Sequence, residues 1–196
     1  GKSETAFGRS QKLEDTTMGW RFINPKFKEM YGVETMPQTA ENVAAQFNIS
    51  RADQDQFAFS SQQRTAAAQA KGFFANEIVP VVIPQRKGEP VVVDSDEHPR
   101  ASTTLEALTK LKPVVKAEGT VTAGNASGIN DGAAALLIAS DDAVAQYGLK
   151  PRAKIIGATV VGVEPRIMGF GPAPAIKKLL KQTGLTLEQM DVIELN

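Results

Sequence analysis

Apolar runs alternate with helical segments through the last third of the chain, and this alternation constrains the fold more than any other feature. Residues 133–139 (AAALLIA), 153–163 and 191–195 are rich in apolar residues, as expected for strands buried within a sheet. Residues 141–147 and 172–183 lie between them and have the apolar spacing of helices. Strands that alternate with helices in this way predict a layered α/β sheet with right-handed crossovers.

Both of these helices have start and stop signals. Ser140 precedes the first helix and offers a side-chain oxygen to its free N–H groups, and Gly148 follows as a left-handed stop. Pro172 and Pro174 open the second helix, which Gly184 ends. These residues predict the helix bounds independently of the apolar pattern.

Earlier in the chain, residues 38–118 predict helices. Thr39 is expected to cap a short helix that carries Val43 and Phe47 on one face. Ser50 begins a sequence typical of a capping box, which predicts a longer helix over residues 51–70. Gly72 follows that helix as its stop.

The same region contains the signal for a small hairpin. Two β-rich runs, residues 78–83 and 91–93, flank a polar turn, and the nearby prolines place them at a sheet edge. By contrast, residues 1–37 lack any regular period. They predict a long loop that aromatic side chains attach to a core.

The chain contains no cysteine and a single histidine, His98. Disulfides, thiolate metal sites, a histidine-rich metal site and a cysteine nucleophile are therefore excluded within these residues, and no metal is expected. The 22 basic residues balance 22 acidic ones, which argues against general binding to nucleic acids or membrane surfaces. No apolar run approaches the roughly 20 residues that span a bilayer, and no secretory pattern is found, so we expect a cytoplasmic protein.

Three polar segments are candidates for binding. Residues 96–100 (DEHPR) favour an exposed loop over a catalytic Glu–His pair, but the guanidinium of Arg100 suits phosphate recognition. Residues 122–132 combine glycines and asparagines, so their backbone can approach a ligand closely. Asn196 ends a predicted strand, at the sheet edge where ligands of α/β proteins collect.

The segment GTVTAGNASGINDGAAA, residues 119–135, strongly resembles the thiolase family of acyl-CoA acyltransferases. Further segments match the family in order over essentially the whole chain, namely residues 39–43, 51–58, 77–80, 96–97, 163–169, 171–172 and 191–196. Residues 15–25 (DTTMGWRFINP) and 96–100 are most similar to the 3-oxoadipyl-CoA thiolases of aromatic-compound breakdown.

This resemblance implies a partial thiolase-like fold of layered βαβ units, with an inserted, mainly helical loop domain that contains the small β-hairpin. Residues 1–118 would form the loop domain. Residues 119–150 would form the coenzyme A (CoA)-binding loop and the end of the N-terminal half, and residues 151–196 the start of the C-terminal half. Because the chain begins at Gly1 without a methionine and ends within a predicted strand, we expect an internal fragment of a longer protein.

The activity implied is CoA-dependent thiolytic cleavage of a 3-oxoacyl-CoA through an acyl-cysteine. The substrate would be 3-oxoadipyl-CoA, and the products succinyl-CoA and acetyl-CoA. CoA is then a substrate, and no tightly bound cofactor is expected. The nucleophile would lie outside these residues, so the isolated fragment is expected to be inactive. The full-length enzyme is expected to be a homodimer or homotetramer with no nucleic-acid or membrane partner.

Site residues are assigned by motif from the same resemblance. Arg100 matches the arginine near the CoA phosphates, and Ala123, Gly124, Ser127 and Gly128 match the loop against adenine and pantetheine.

Three further residues match the acyl end of the site. Met36 and Met168 match methionines that line the acyl and pantetheine tunnel, and Asn196 matches the asparagine that holds an oxyanion-hole water.

Two residues bear on the acyl substrate. Thr35 departs from the family, because many biosynthetic members carry histidine there, and acetoacetyl-CoA is therefore not expected as the preferred substrate. Arg21 is a candidate partner for a distal acyl carboxylate, although stacking on Trp20 or Phe22 is an equal alternative.

Two other functions are compatible with the sequence. The chain could belong to a non-catalytic thiolase-like protein that binds acyl-CoA or lipid, or it could act as an oligomerisation module. A cysteine and a histidine in the remainder of the reading frame would separate the enzyme from the first, and light scattering on this fragment would test the second.

Overall fold

The structure, a computed structural model, describes residues 7, 8, 13, 15, 17 and 19–196. The start of the chain, residues 1–3, and two positions of the 15–25 motif, residues 16 and 18, lie outside the described residues. Contacts divide the chain into two compact units, which are described separately. The first comprises residues 1–43 and 131–196, and the second comprises residues 44–130.

The helices over residues 19–196 are α1 Pro25–Tyr31, α2 Met36–Phe47, α3 Arg51–Ala70, α4 Leu105–Thr109, α5 Asp141–Tyr147 and α6 Pro172–Thr183. Short 3-10 helices cover Phe73–Asn76, Pro165–Phe170 and Leu187–Gln189. Strands β1 Val81–Ile83 and β2 Val91–Val93 pair antiparallel, with Val82 opposite Val92. The hairpin was predicted, and its strands are shorter than the β-rich runs that indicated it.

The predicted capping signals of three helices are confirmed. The Ser50 side chain accepts the Asp53 N–H at the start of α3, and Gly72 is left-handed just beyond its end. The Ser140 side chain accepts the Ala143 N–H at the start of α5, which ends at a left-handed Gly148. Helix α6 has Pro172 at its first position and a left-handed Gly184 after its last.

Helix α2 begins four residues earlier than predicted, at Met36 instead of residue 40, so the assignment of Thr39 as its cap is wrong. The Thr35 N–H donates to Gln38 Oε1 at 2.7 Å, which is one half of a capping box. Thr39 lies inside the helix, where its hydroxyl donates to the Met36 carbonyl at 2.8 Å. The sequence signal that identifies the true start is the Thr35-x-x-Gln38 spacing.

Helix α1 interrupts the segment predicted to be irregular. The Asn24 side chain accepts the Lys26 N–H at 2.9 Å, and Pro25 occupies the first helical position, where its missing N–H costs nothing. An asparagine followed by proline is therefore the signal for this helix.

The three predicted strands at residues 133–139, 153–163 and 191–195 do not form strands in this structure. Their apolar side chains are largely exposed, as Leu136 (86%), Val160 (83%) and Val192 (84%) illustrate. A strand buried on both faces requires neighbouring strands and covering layers. Over residues 19–196 the one sheet is the β1–β2 hairpin, so these segments have no sheet to join.

Each unit has a small buried core. Among the residues that the structure describes, the buried apolar residue of the first unit is Ile167, and those of the second are Ala44, Leu108 and Val121. In the second unit α3 also packs against α4. None of the helices in the described part of the chain is long and apolar enough to cross a bilayer.

Candidate functional site

A buried polar network in the second unit supports the glycine- and asparagine-rich loop. Asp55 of α3 is 1% exposed, and Thr122 at the start of the loop is fully buried. Arg51 Nε donates to Asp55 Oδ2 at 2.8 Å, and Asn125 Nδ2 donates to Asp55 Oδ1 at 3.0 Å. A buried carboxylate is costly unless it is paired and hydrogen-bonded, and both oxygens of Asp55 have partners.

Asn125 fixes the turn at the base of this loop. Its Nδ2 also donates to the Thr120 carbonyl at 2.9 Å, and its Oδ1 accepts the Thr122 N–H at 2.8 Å. The Gly124 N–H donates to the Thr122 hydroxyl at 3.2 Å. The side chain of Asn125 therefore connects α3 to two backbone positions of the loop.

Arg51 connects the same network to the end of α4. Its Nη2 donates to the Leu108 carbonyl at 2.7 Å and to the Leu111 carbonyl at 3.1 Å. These carbonyls lie at the C-terminal end of a helix, where a cation is favourable. One arginine thus links α3, α4 and, through Asp55, the loop.

Two predicted site glycines lie where other side chains leave no room for a Cβ atom. A Cβ on Gly124 would lie 2.5 Å from both Leu108 Cδ2 and Leu111 Cδ1. A Cβ on Gly128 would lie 2.5 Å from His98 Cε1. Glycine at these two positions therefore permits a close approach between the loop and its neighbours.

The contact between His98 and Gly128 places residues 96–100 beside the loop. His98 is exposed, as predicted for a solvated segment, but its ring touches the loop backbone, which the sequence did not reveal. The Arg100 N–H donates to Gln62 Oε1 at 2.7 Å, and Arg100 itself is exposed. The backbone of Arg100 is held in place while the residue is exposed, which suits a guanidinium that binds a ligand at the surface.

The remaining predicted residues of this loop are also exposed. Ala123, Ser127 and Gly128 face solvent to a large extent, whereas Thr122 beneath them is buried. The loop therefore has a supported inner side and an accessible outer side. The structure brings Ala123, Gly124, Ser127 and Gly128 together as one segment, and their roles toward CoA stay a prediction.

The first unit contains a cleft of about 440 Å³ between α1, the start of α2 and residues 165–168. The two methionines predicted to line the acyl tunnel, Met36 and Met168, both line this cleft. Three aromatic residues also line it, with ring centroids 5.2 Å apart for Trp20 and Phe27 and 5.3 Å for Phe27 and Tyr31. Its volume is in the range of small-molecule sites, which are largely apolar pockets with few polar groups.

A charged pair is part of the cleft lining. Arg166 Nη2 is 3.6 Å from Glu34 Oε1, and both residues line the cleft. Asn42 Nδ2 donates to Glu34 Oε1 and to the Arg166 carbonyl, each at 2.9 Å. The Trp20 indole N–H donates to the Glu34 carbonyl at 3.3 Å. No sequence pattern indicated that residues 34 and 166 would meet.

Arg21, the predicted partner of a distal carboxylate, does not line the cleft. Its Nη1 donates to the Gly19 carbonyl at 3.4 Å. Hydrogen bonds from the Thr17 hydroxyl and N–H hold the pKa of Asp15 below its ordinary value, and the charge of Arg21 contributes in the same direction. Arg21 therefore acts on a surface carboxylate of its own chain.

The last predicted site residue, Asn196, is exposed, and residues 192–196 form neither helix nor strand. It does not line the cleft, and its oxyanion-hole role stays a prediction. Over the described residues, no three or more histidine, aspartate or glutamate side chains are grouped so as to hold a metal ion.

Comparisons with known proteins identify both parts of the chain. Residues 3–142 match the family described as thiolase, N-terminal domain, and residues 149–196 match the thiolase, C-terminal domain. The chain is 83% identical over its whole length to the beta-ketoadipyl-CoA thiolase of Acinetobacter baylyi and covers 49% of that protein.

Solved structures agree with this assignment. The Bacillus anthracis acetyl-CoA acetyltransferase is 39% identical with a TM-score of 0.82, over 98% of this chain and 48% of that one. Human mitochondrial 3-ketoacyl-CoA thiolase, solved in complex with CoA, is 49% identical with a TM-score of 0.73, over 81% of this chain and 39% of that one. The chain thus spans about half the length of these relatives, and the predicted partial thiolase-like α/β fold is confirmed.

Proposed function

Because this chain belongs to the thiolase family, we propose that it is part of a longer enzyme that cleaves 3-oxoadipyl-CoA with CoA to give succinyl-CoA and acetyl-CoA. The observation that carries this proposal is the high identity over the whole chain to a protein named beta-ketoadipyl-CoA thiolase. Beta-ketoadipyl-CoA and 3-oxoadipyl-CoA are two names for the same compound.

In the proposed reaction a cysteine thiolate adds to the C3 carbonyl, and the C2–C3 bond breaks. Acetyl-CoA leaves after its carbanion takes up a proton, and the succinyl group stays on the cysteine sulfur. A second CoA thiolate then attacks this thioester and releases succinyl-CoA. This chain has no cysteine, so the proposal places the nucleophile outside these residues, together with the histidine and second cysteine that the family resemblance implies for proton transfer.

The chain's own contribution in this proposal is to hold CoA and the acyl chain. The outer side of the loop at Ala123, Gly124, Ser127 and Gly128 binds adenine and pantetheine, and the rigid network beneath it preorganises that surface. The Arg100 guanidinium binds the phosphates of CoA. The solved CoA complex of a relative supports CoA as the ligand.

The acyl chain lies in the cleft beside Met36 and Met168, whose flexible thioethers adapt to an apolar chain. Asn196 holds the water that donates to the thioester oxygen as negative charge develops there.

The three exposed apolar segments support the proposal that the protein is longer than this chain. Residues 133–139, 153–163 and 191–195 have the composition of buried strands. We propose that the part of the protein absent from this sequence supplies their neighbouring strands, and that the complete enzyme is a homodimer or homotetramer. Light scattering on the full-length protein measures the oligomeric state, and a monomer would contradict the second part.

The activity is tested by thiolysis with the protein expressed from its complete reading frame. We expect kcat/KM for 3-oxoadipyl-CoA to exceed that for acetoacetyl-CoA by at least about tenfold, because a matched charged group in a site contributes about 1.5 kcal/mol or more. A higher value for acetoacetyl-CoA would refute the substrate assignment. Absence of thiolysis of either compound would favour a non-catalytic acyl-CoA-binding protein.

Replacing Arg100 with alanine tests the phosphate contact. We expect kcat/KM for a CoA thioester to fall about tenfold, because a hydrogen bond to a charged group contributes about 1.5 kcal/mol. The same acyl group on N-acetylcysteamine lacks the nucleotide, so its turnover is expected to stay unchanged. Arg86→Ala, an exposed arginine in the hairpin turn, is the matched control. Equal losses with both thioesters would argue for a structural role of Arg100.

A further inference from the structure

The cleft of the first unit has an arginine among walls that are otherwise mainly apolar. Arg166 and Glu34 line this cleft together with Trp20, Phe27 and Met168. We infer that Arg166 receives the distal carboxylate of a dicarboxylic acyl chain and so determines the preference of the enzyme for charged acyl groups. This inference rests on the proposed function, because it assigns a residue to the recognition of that substrate.

The resting partner of Arg166 leaves its guanidinium able to bind another anion. The distance from Arg166 Nη2 to Glu34 Oε1 is 3.6 Å, whereas charge-assisted hydrogen bonds between such groups are about 2.7–2.9 Å long. The Arg166 side chain is 59% exposed. A substrate carboxylate can therefore form the bidentate fork that Glu34 does not form.

A hydrogen bond from Asn42 holds the Glu34 carboxylate, which forms no close ion pair with Arg166. Asn42 donates to Glu34 Oε1 and, through the same nitrogen, to the Arg166 carbonyl. The Glu34 side chain is 32% exposed. Its charge accompanies Arg166 when the cleft is empty and competes with a bound carboxylate when the cleft is filled.

The walls of the cleft match the rest of such a chain. Methylene groups prefer the aromatic and thioether surfaces of Trp20, Phe27 and Met36, which line the same space. A carboxylate that enters this space loses water, and it needs a cation in compensation. Arg166 lies within the lining and Arg21 does not, so the geometry points to Arg166.

The test compares two substrates that differ only at the distal end. These are 3-oxoadipyl-CoA and 3-oxohexanoyl-CoA, which has the same six-carbon chain with a methyl group in place of the carboxylate. In the full-length protein, Arg166→Met is expected to lower kcat/KM for 3-oxoadipyl-CoA about 30-fold, mainly through KM. Turnover of 3-oxohexanoyl-CoA is expected to change less than about threefold, which also shows that the variant is folded.

Three further variants sharpen the test. Arg166→Lys keeps the charge but not the fork, and it is expected to retain part of the preference. Glu34→Gln removes the competing charge, and it is expected to lower KM for 3-oxoadipyl-CoA about threefold. Arg21→Met is the matched arginine control and is expected to leave the ratio of the two substrates unchanged.

Each outcome separates this inference from the proposed function. A wild-type enzyme that does not cleave 3-oxoadipyl-CoA overturns both. A wild-type enzyme that cleaves 3-oxoadipyl-CoA and 3-oxohexanoyl-CoA equally well overturns the inference alone, because the distal carboxylate is then not recognised. A wild-type preference that persists in Arg166→Met, or that is lost in Arg21→Met instead, overturns the role of Arg166 alone. Equal loss of both substrates in Arg166→Met also counts against it, because only a structural role would affect the two alike.

Discussion

Replacing Asp55 with alanine is expected to destabilise the glycine- and asparagine-rich loop by about 3 kcal/mol, because it leaves two donors of a buried network without their shared acceptor. Asp55 accepts from Arg51 through one oxygen and from Asn125 through the other. Asn125 in turn accepts the Thr122 N–H. The loss is limited because Arg51 keeps its bonds to two carbonyls of the α4 end.

Amide hydrogen exchange measures this effect where it arises. A loss of about 3 kcal/mol corresponds to exchange roughly 150-fold faster for amides that open with the loop. Residues 122–125 are the region to follow, since three of their amides donate within the turn.

Asp53→Ala is the matched control. Asp53 lies on the same helix, but it is exposed and bonds only the cap at Ser50. This change is expected to cost less than about 1 kcal/mol and to leave loop exchange unchanged. Loop exchange in Asp55→Ala that equals the wild-type rate would show that the network does not support the loop.

Replacing Gly124 with alanine is expected to lower the thermal midpoint by about 5 °C. The added methyl group would lie 2.5 Å from two leucine side chains at once, and overpacking of this kind costs roughly 1–3 kcal/mol. Leu108 is 4% exposed and cannot swing into solvent. Movement of the loop is then the remaining adjustment, so CoA binding is expected to weaken as well.

Gly132→Ala provides the comparison within the same stretch of chain. A Cβ on Gly132 would have no atom within 4 Å, so the same chemical change is expected to shift the midpoint by less than about 1 °C. Calorimetry and CoA titration of the two variants complete the test. Equal midpoints for the two variants would contradict the close packing of Gly124.

The helices that the sequence predicted well are those whose signals are local. Ser50, Ser140 and Gly148 bond backbone groups within four residues, so their effect does not depend on the rest of the protein. The start of α2 was misplaced because Thr35 and Thr39 are both suitable caps. The side chain of Gln38, which reaches back to Thr35, selects the first.

The three strands were predicted from their apolar composition, which does not indicate the strands that they would pair with. Residues 133–139 are apolar enough for a buried strand, but pairing depends on segments far away or absent from this sequence.

In the candidate site, too, some residues could be predicted from the sequence and others could not. Family motifs placed Met36 and Met168 in one lining, whereas the pairing of Glu34 with Arg166 joins residues 132 positions apart and has no local signal.

The bond between Asp55 and Asn125 also bears on the order of folding. It closes 70 residues of chain, and the loop that it supports cannot reach its final shape until that closure has occurred. The cap of α3 is local and is complete once residues 50–53 have been synthesised. The loop must wait until residue 125 has left the ribosome, so under the proposed function the CoA-binding surface is completed late in synthesis.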